Sequence, residues 1–262
     1  MMMTFRDVYA QFISFAHETD EKILYLIIDL CSCDYPLLAA IENWQPELQY
    51  CLLFEQTPEE HIKEEGPLLL ALDIRNENHL EILEKICEIT HMDNRLLAFN
   101  SKYPFGTLEV HLRCAMQVKW DKKEGLLRFY APDMFDPVNM VLSDAQKNWL
   151  HQYMQCWFYV DDTGEWVFYQ ADYPQCEQNE FDVNGFVFTE KQYDTLLLWA
   201  DVYNYRRNYG IALDANEYGG ERMLINQLYV LAVEADAKLI LNQEQRMQFF
   251  GNNLQKIRQE GL

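Results

Sequence analysis

The chain has 262 residues, 49% of them hydrophobic, and sets 42 carboxylates against 21 Lys and Arg for a net charge of −21. That length allows one large domain or two small ones with ample core, and 15 Phe, 16 Tyr and 6 Trp exclude a disordered chain. The charge argues against nucleic acid and anionic membrane as partners, because both are met with Lys and Arg; it suits solubility or a basic protein partner.

The opening MMMTFRDVYA has no basic segment followed by an apolar run, so no export signal is expected there. No stretch of 18 apolar residues occurs, so no membrane span is expected either. The seven cysteines (31, 33, 51, 87, 114, 156 and 176) lie mostly in apolar runs. They read as reduced thiols of a cytoplasmic protein.

Residues 5–17 carry Phe5, Val8, Tyr9, Phe12, Phe15 and Ala16 at helical spacing. ILYLIIDL (23–30) is continuously apolar up to Asp29, as in a strand covered on both faces. DYPLLAAIENW predicts a helix with Pro36 near its start. YCLLF (50–54) and PLLLAL (67–72) read as short strands around the acidic connection EQTPEEHIKEEG. Asn78-x-x-Glu81 predicts a capped helix, RLLAF (95–99) a strand and residues 105–117 a helix. LLRFY (126–130) predicts a strand ending before Pro132, and Ser143-x-x-Gln146 caps a further helix. The alternation argues a layered α/β domain over 1–147, with a mixed, largely buried sheet flanked by helices.

Composition then shifts. Asn148 to Glu190 contains no Lys or Arg, but eight carboxylates and twelve aromatics. CWFYVDDTGEWVFYQ predicts a hairpin turning at Asp162-Thr163-Gly164. Thr189-x-x-Gln192 opens a helix that Gly210 can end, a second runs from about Glu217 to Lys238, and Asn242-x-x-Gln245 opens the last. Residues 148–262 are therefore expected to be an aromatic, acidic hairpin plus a C-terminal helical lobe.

Catalytic signatures are missing: no GxSxG, GxGxxG, P-loop, HExxH, CxxC pair or EF-hand loop is present, so neither a metal nor a cofactor is expected. His91 and Asp93 could supply two metal ligands, but a helix-end histidine beside a capping Asp explains them better. Asp29 closes a buried strand, and reads as an ion-pair partner or a cap for the turn at Ser32. Three groups able to carry positive charge, His111, Arg113 and Arg128, share one segment of core-like residues. Glu109 lies one turn before Arg113, the favourable order for a helical pair. Arg128, if inward, needs a carboxylate such as Asp29 or Asp133, because an unpaired buried charge is too costly. The trio reads as structural, with partner contact and catalysis as the alternatives.

The order of YLIIDL (25–30), CLLFE (51–55), GPLLLALD (66–73), RLLAFNS (95–101), HLR (111–113), RFYAPDMF (128–135) and SDAQKNWL resembles the type VI secretion effector-chaperone family, also called Tap or TEC adaptors. The family pattern is a strand ending in Asp, a Leu-Phe/Tyr pair, a Pro-Leu-rich strand, His-Leu-Arg, and Arg-Phe/Tyr-Tyr-Asp-Pro-Arg. Asp29, Pro67, His111, Arg113, Arg128, Tyr130 and Pro132 are the matching motif positions. Where the family has Asp-Pro-Arg this chain has Ala131-Pro132-Asp133. The resemblance covers about residues 23–150. It implies a cytoplasmic, non-catalytic protein that binds one toxic effector and helps load it onto the VgrG spike. On that reading Trp157, Tyr159, Trp166, Phe168 and Tyr169 of the hairpin are candidate partner-binding anchors. An acidic immunity-type inhibitor of a toxin, and a small α/β enzyme or ligand-binding domain using Asp29 and Arg128, are the alternatives.

Overall fold

The uninterrupted run ILYLIID becomes a central strand in which every residue after Ile23 is buried. Around it the chain is ordered as α1 (Phe5–Glu18), β1 (Ile23–Asp29), α2 (Leu37–Trp44), β2 (Gln49–Leu52), β3 (Pro67–Asp73), α3 (Glu77–Thr90), β4 (Leu96–Asn100) and α4 (Phe105–Ala115). There follow β5 (Gln117–Trp120), β6 (Lys123–Leu126), α5 (Pro132–Val141), α6 (Asp144–His151), β7 (Cys156–Val160), β8 (Trp166–Gln170) and β9 (Phe186–Val187). Three helices close the chain: α7 (Glu190–Asn208), α8 (Glu221–Ala237) and α9 (Gln243–Glu260). This computed structural model describes residues 4–18, 22–31, 33, 35–44, 48–90, 94–161, 165–171, 185–209 and 213–260.

Six strands form one sheet in the order β2-β3-β1-β4-β7-β8, and every neighbouring pair is antiparallel. Because side chains alternate across a strand, Leu24, Leu26 and Ile28 face one side with Leu68, Leu70, Leu72, Ala98 and Phe158; Val8, Phe12 and Phe15 of α1 and Ile82, Leu83 and Ile86 of α3 cover them. On the opposite side Tyr25 stacks on Phe99 at 5.1 Å and meets Phe105 of α4, while Trp157 and Tyr159 pack on Phe135 of α5. The buried, helix-flanked sheet is thus as expected, in wholly antiparallel form. A smaller sheet, β6-β5-β9, joins β5 and β9 in parallel.

The chain divides into two compact units, Met1–Asp161 with Trp166–Val187, and Asp162–Glu165 with Phe188–Leu262. The break lies at 187/188 and not at the expected 147/148, because β7 pairs with β4 over Leu97–Asn100 and makes the hairpin part of the main sheet. In the second unit, α7 opens with the predicted capping box of Thr189 and Gln192. There α8 buries Leu224, Ile225, Leu228, Leu231, Ala232 and Ala235. Arg246 of α9 is buried and held by Asp201 of α7 at 2.7 Å and Asp236 of α8 at 2.5 Å.

Three local expectations shift. Asn76, and not Asn78, caps α3: its Oδ1 accepts from Asn78 N at 3.0 Å. LLRFY is no strand; β6 ends at Leu126 and residues 127–131 turn into α5, with Leu127, Phe129, Tyr130 and Ala131 all buried. Burial of successive residues is incompatible with a strand exposed on one face. The second C-terminal helix begins at Glu221, because Gly219 and Gly220 take positive φ (+89° and +106°) and break Ala215–Tyr218 off as a separate turn of 3-10 helix. The hairpin turn at 162–164, Ser32, His91, Asp93, Cys176 and Gly210 lie outside the described residues.

Candidate functional site

Asp29, Pro67, Arg128 and Tyr130 meet where β1 ends, whereas His111 is held elsewhere on α4. Asp29, the last residue of β1, stands opposite Pro67, the first of β3. A proline suits a strand's first position, where its missing N–H leaves the ladder intact. Asp29 is 7% exposed. Its Oδ1 accepts from Cys31 N at 3.0 Å, capping the turn that leaves the strand, and its Oδ2 accepts from Arg128 Nη2 at 2.7 Å. The ion pair read for Asp29 from the sequence is therefore present, beside a bond to the backbone of Cys31. Of the two carboxylates considered for Arg128, Asp29 accepts its hydrogen bond, and the charge of Asp133 adds to what keeps it protonated. Arg95 finishes the corner, donating from Nη1 to the carbonyls of Asp29 at 3.2 Å and Cys31 at 2.5 Å.

Arg128 sits on the 127–131 turn, with its guanidinium 5.9 Å from the Tyr130 ring centre. Burial opposes its charge, yet Asp29 and then Tyr130 outweigh that and hold it protonated well above its ordinary range. Tyr130 is buried, and burial raises its hydroxyl pKa far out of the physiological window. Pro132 is the first residue of α5, the position where a missing N–H costs least.

Arg113 and His111 lie on α4 but serve different neighbours. Arg113 is 9% exposed; its Nη2 meets Glu109 at 2.8 Å and Glu55 at 3.6 Å, and donates to Leu52 O at 3.3 Å. This ties α4 to the end of β2. It also forms one wall of a cleft of about 350 Å³ with Thr57, Val110, Gln117, Lys119 and Glu124. His111 and Arg128 are not among the residues lining that cleft, so the three groups do not converge there. His111 is fully buried between the rings of Trp149 and Tyr153, each 4.9 Å away. Leu150 O can only accept, so Nε2 carries the proton and donates to it at 2.9 Å. Burial pulls the His111 pKa down to about 4, against a smaller opposing effect of that bond. His111 is thus a neutral brace and not a member of an ion pair.

A second buried histidine, His151, gave no signal in the sequence beyond lying near a helix end. Trp157 Nε1 donates to its Nδ1 at 2.9 Å, which leaves Nε2–H to donate to Asn139 Oδ1 at 2.7 Å. Asn139 Nδ2 donates in turn to Phe135 O at 2.9 Å. One polar chain thereby joins α5, α6 and β7. Burial lowers the His151 pKa to about 3, with His111 and Lys147 adding to the effect.

The hairpin aromatics are disposed differently from expectation. Trp157 and Tyr159 are 0% exposed, so they are core residues and do not offer a surface to a partner. The cause is the place of β7 between β4 and β8, which lets the chain's own helices cover both of its faces. Tyr159 also donates its hydroxyl to Asp136, and burial with that carboxylate drives its pKa upward. Trp166 stacks on Phe158 at 4.8 Å, and Tyr169 packs against His151 at 5.1 Å and Phe135 at 5.8 Å. Phe168, 48% exposed, is the one of the five that opens broadly to solvent.

What this arrangement does chemically is bind loop to strand and helix to strand. Among the described residues no group of three or more His, Cys, Asp or Glu could hold a metal ion. No helix of the described residues is long and apolar enough to cross a membrane. Residues 24–148 match the family model described as Domain of unknown function (DUF4123), a little under half of the chain. The match starts in β1 and ends within α6, so β7 and β8, which complete the main sheet, lie beyond it. No curated protein and no solved structure matches the chain.

Proposed function

We propose that the chain is a type VI secretion adaptor: a non-catalytic cytoplasmic chaperone that binds one toxic effector and helps load it onto the VgrG spike. The observation that carries this reading is that the DUF4123 match, over 24–148, falls on the stretch whose motifs resemble the effector-chaperone family. The motif side chains support it by what they are used for. Asp29, Arg113 and His111 bond to the chain's own turns, carbonyls and side chains and so leave no aligned nucleophile or base among them. Recognition then belongs to exposed surface elsewhere.

A native pull-down of the full chain from its own cell, with mass identification, tests the proposal. An effector, a spike component or both are the expected recoveries; finding neither overturns it. A second reading, an acidic plug for a basic toxin site, draws on where the charge lies. Residues 1–187 hold 32 carboxylates and 13 Lys and Arg (net −19), whereas 188–262 hold 10 and 8 (net −2). Under that reading the recovered partner loses its toxic activity when bound, whereas a loading chaperone leaves the catalytic domain able to work.

A further inference from the structure

Strand β8 ends the order of the main sheet, with β7 on its inner side only. Its bonding phase is set by Ala171 N, which donates to Gln155 O at 3.1 Å and continues the β7–β8 register. Bonded and non-bonded pairs alternate along an antiparallel ladder. Val167 and Tyr169 therefore turn their main-chain groups to Tyr159 and Trp157 of β7, and Trp166, Phe168 and Gln170 turn theirs outward. Among the described residues nothing pairs with that outward row. Nor is the edge guarded. Sheet edges are ordinarily blunted by Lys, Pro, a bulge or a covering group. Trp-Val-Phe-Tyr-Gln holds no Lys or Pro and runs along β7 without a bulge. The opposite edge of the sheet shows the contrast. There β2 has only four residues, and Leu52 O, one of its outward groups, accepts from Arg113 Nη2.

We infer that the outer edge of β8 receives one extended, basic segment of a partner polypeptide as an added strand of the sheet. The inference rests on reading the chain as a protein-binding adaptor, and it names the surface and the form of what is bound. The row of donors and acceptors at Trp166, Phe168 and Gln170 recurs at every second residue. Only another main chain in extended conformation matches that phase; a helix has already spent its main-chain groups on itself. The surroundings set the side chains. Phe168 is 48% exposed, lies on the same face as Phe158 and Trp166, and meets Phe15 of α1 at 5.8 Å. The bound segment therefore carries apolar residues at alternate positions on that face. Its charge follows from residues 148–190, which contain β8 and hold eight carboxylates and no Lys or Arg, so Lys or Arg in the segment is drawn there. The same charge opposes a second copy. β8 can pair antiparallel with its own counterpart about Phe168, but that sets two such acidic stretches side by side and joins two chains of net charge −21.

The test replaces Phe168 of the full chain by the photo-crosslinker p-benzoylphenylalanine in its own cell, with Met140, 70% exposed on α5, as the control position. The expected product at 168 is an effector or spike component, cross-linked at alternate residues of one segment that carries Lys or Arg, and not obtained from 140. Gln170→Pro removes one outward N–H and leaves the bonds to β7 in place, because proline is tolerated where a strand's N–H faces away from the sheet. It should cut recovery of that partner at least about tenfold, whereas Gln170→Ala, which keeps the N–H, should recover it as the wild type does. The melting midpoint of Gln170→Pro should move by less than about 4 °C. A larger fall would mean that this N–H is already used within the fold, and overturns the inference. Cross-links from 168 to another copy of the chain, only within the chain, or at residues three or four apart as on a helix overturn it too. If the wild type recovers an effector or spike component and Gln170→Pro recovers it equally, the edge fails and the adaptor reading stands. If the wild type recovers neither, both fail.

Discussion

At the scale of single residues, the Asp29–Arg128 pair decides whether the 127–131 turn stays on the sheet. Asp29 is 10% exposed at its side chain and Arg128 35%, so the pair is neither fully buried nor free in solvent. Removing Arg128 leaves Asp29 with one of its two oxygens unanswered, and Arg128→Ala should cost about 1–3 kcal/mol in urea unfolding. Asp29→Asn should cost about as much, because Asn keeps an acceptor for Cys31 N but loses the charge that holds Arg128. The double variant should cost less than the sum, and a cycle with no coupling would show that the pair is incidental. The need for this contact was legible in the sequence, since an arginine among core residues must find a carboxylate and Asp29 ends an apolar strand. His111 was legible only as half covered. Whether a histidine on a helical stripe is charged or neutral depends on what faces it, here the carbonyl of Leu150 and two aromatic rings from a segment 39 residues away.

At the scale of elements, local chemistry was readable and distant pairing was not. Ser143 with Gln146 and Thr189 with Gln192 form the capping boxes that their three-residue spacing predicts. The hairpin was equally readable as a hairpin, through its alternation and its turn residues. Its insertion beside β4 was hidden, because nothing local marks that Asn100 will stand opposite Cys156. The misplacement of Trp157 and Tyr159 follows from that alone: an aromatic strand is a binding surface at an edge and a core wall in the middle. The two positions can be separated by experiment. Trp157→Ala should destabilise the chain by about 3–5 kcal/mol, through lost burial, a cavity and a His151 Nδ1 left without its donor. Phe168→Ala, at a side chain about half exposed that meets Phe15 edge-on at 5.8 Å, should cost about 1 kcal/mol. Denaturation midpoints at unchanged slope would report both, and similar costs at the two sites would refute the interior placement of β7.

At the scale of the whole molecule, the two neutral histidines give its stability a direction with pH. His111 and His151 have folded-state pKa values near 4 and 3, below the ordinary value of 6.5 that each regains on unfolding. Between pH 6.5 and about 4 the unfolded chain therefore binds more protons than the folded one, and stability falls as the solution is acidified. Well above pH 6.5, from about pH 7.5, the histidines' contribution to the slope fades out. Each can contribute up to about 1.4 kcal/mol per pH unit inside the window, so passing from pH 7 to pH 5 should remove roughly 3–4 kcal/mol. Two carboxylates with arginine partners do not mimic this. Asp73, held down to about 2 by its bond to Arg75, loses its contribution only at lower pH. Asp201, whose pKa burial raises despite Arg246, acts with the opposite sign. Urea unfolding at pH 5, 6, 7 and 8 should show the loss below 6.5 and a plateau from about 7.5. His111→Gln, which keeps a donor for Leu150 O and cannot take up a proton, should roughly halve the slope in that window. A slope unchanged in that variant would mean that His111 is protonated in the folded state, and its assignment as a neutral brace would fall with it.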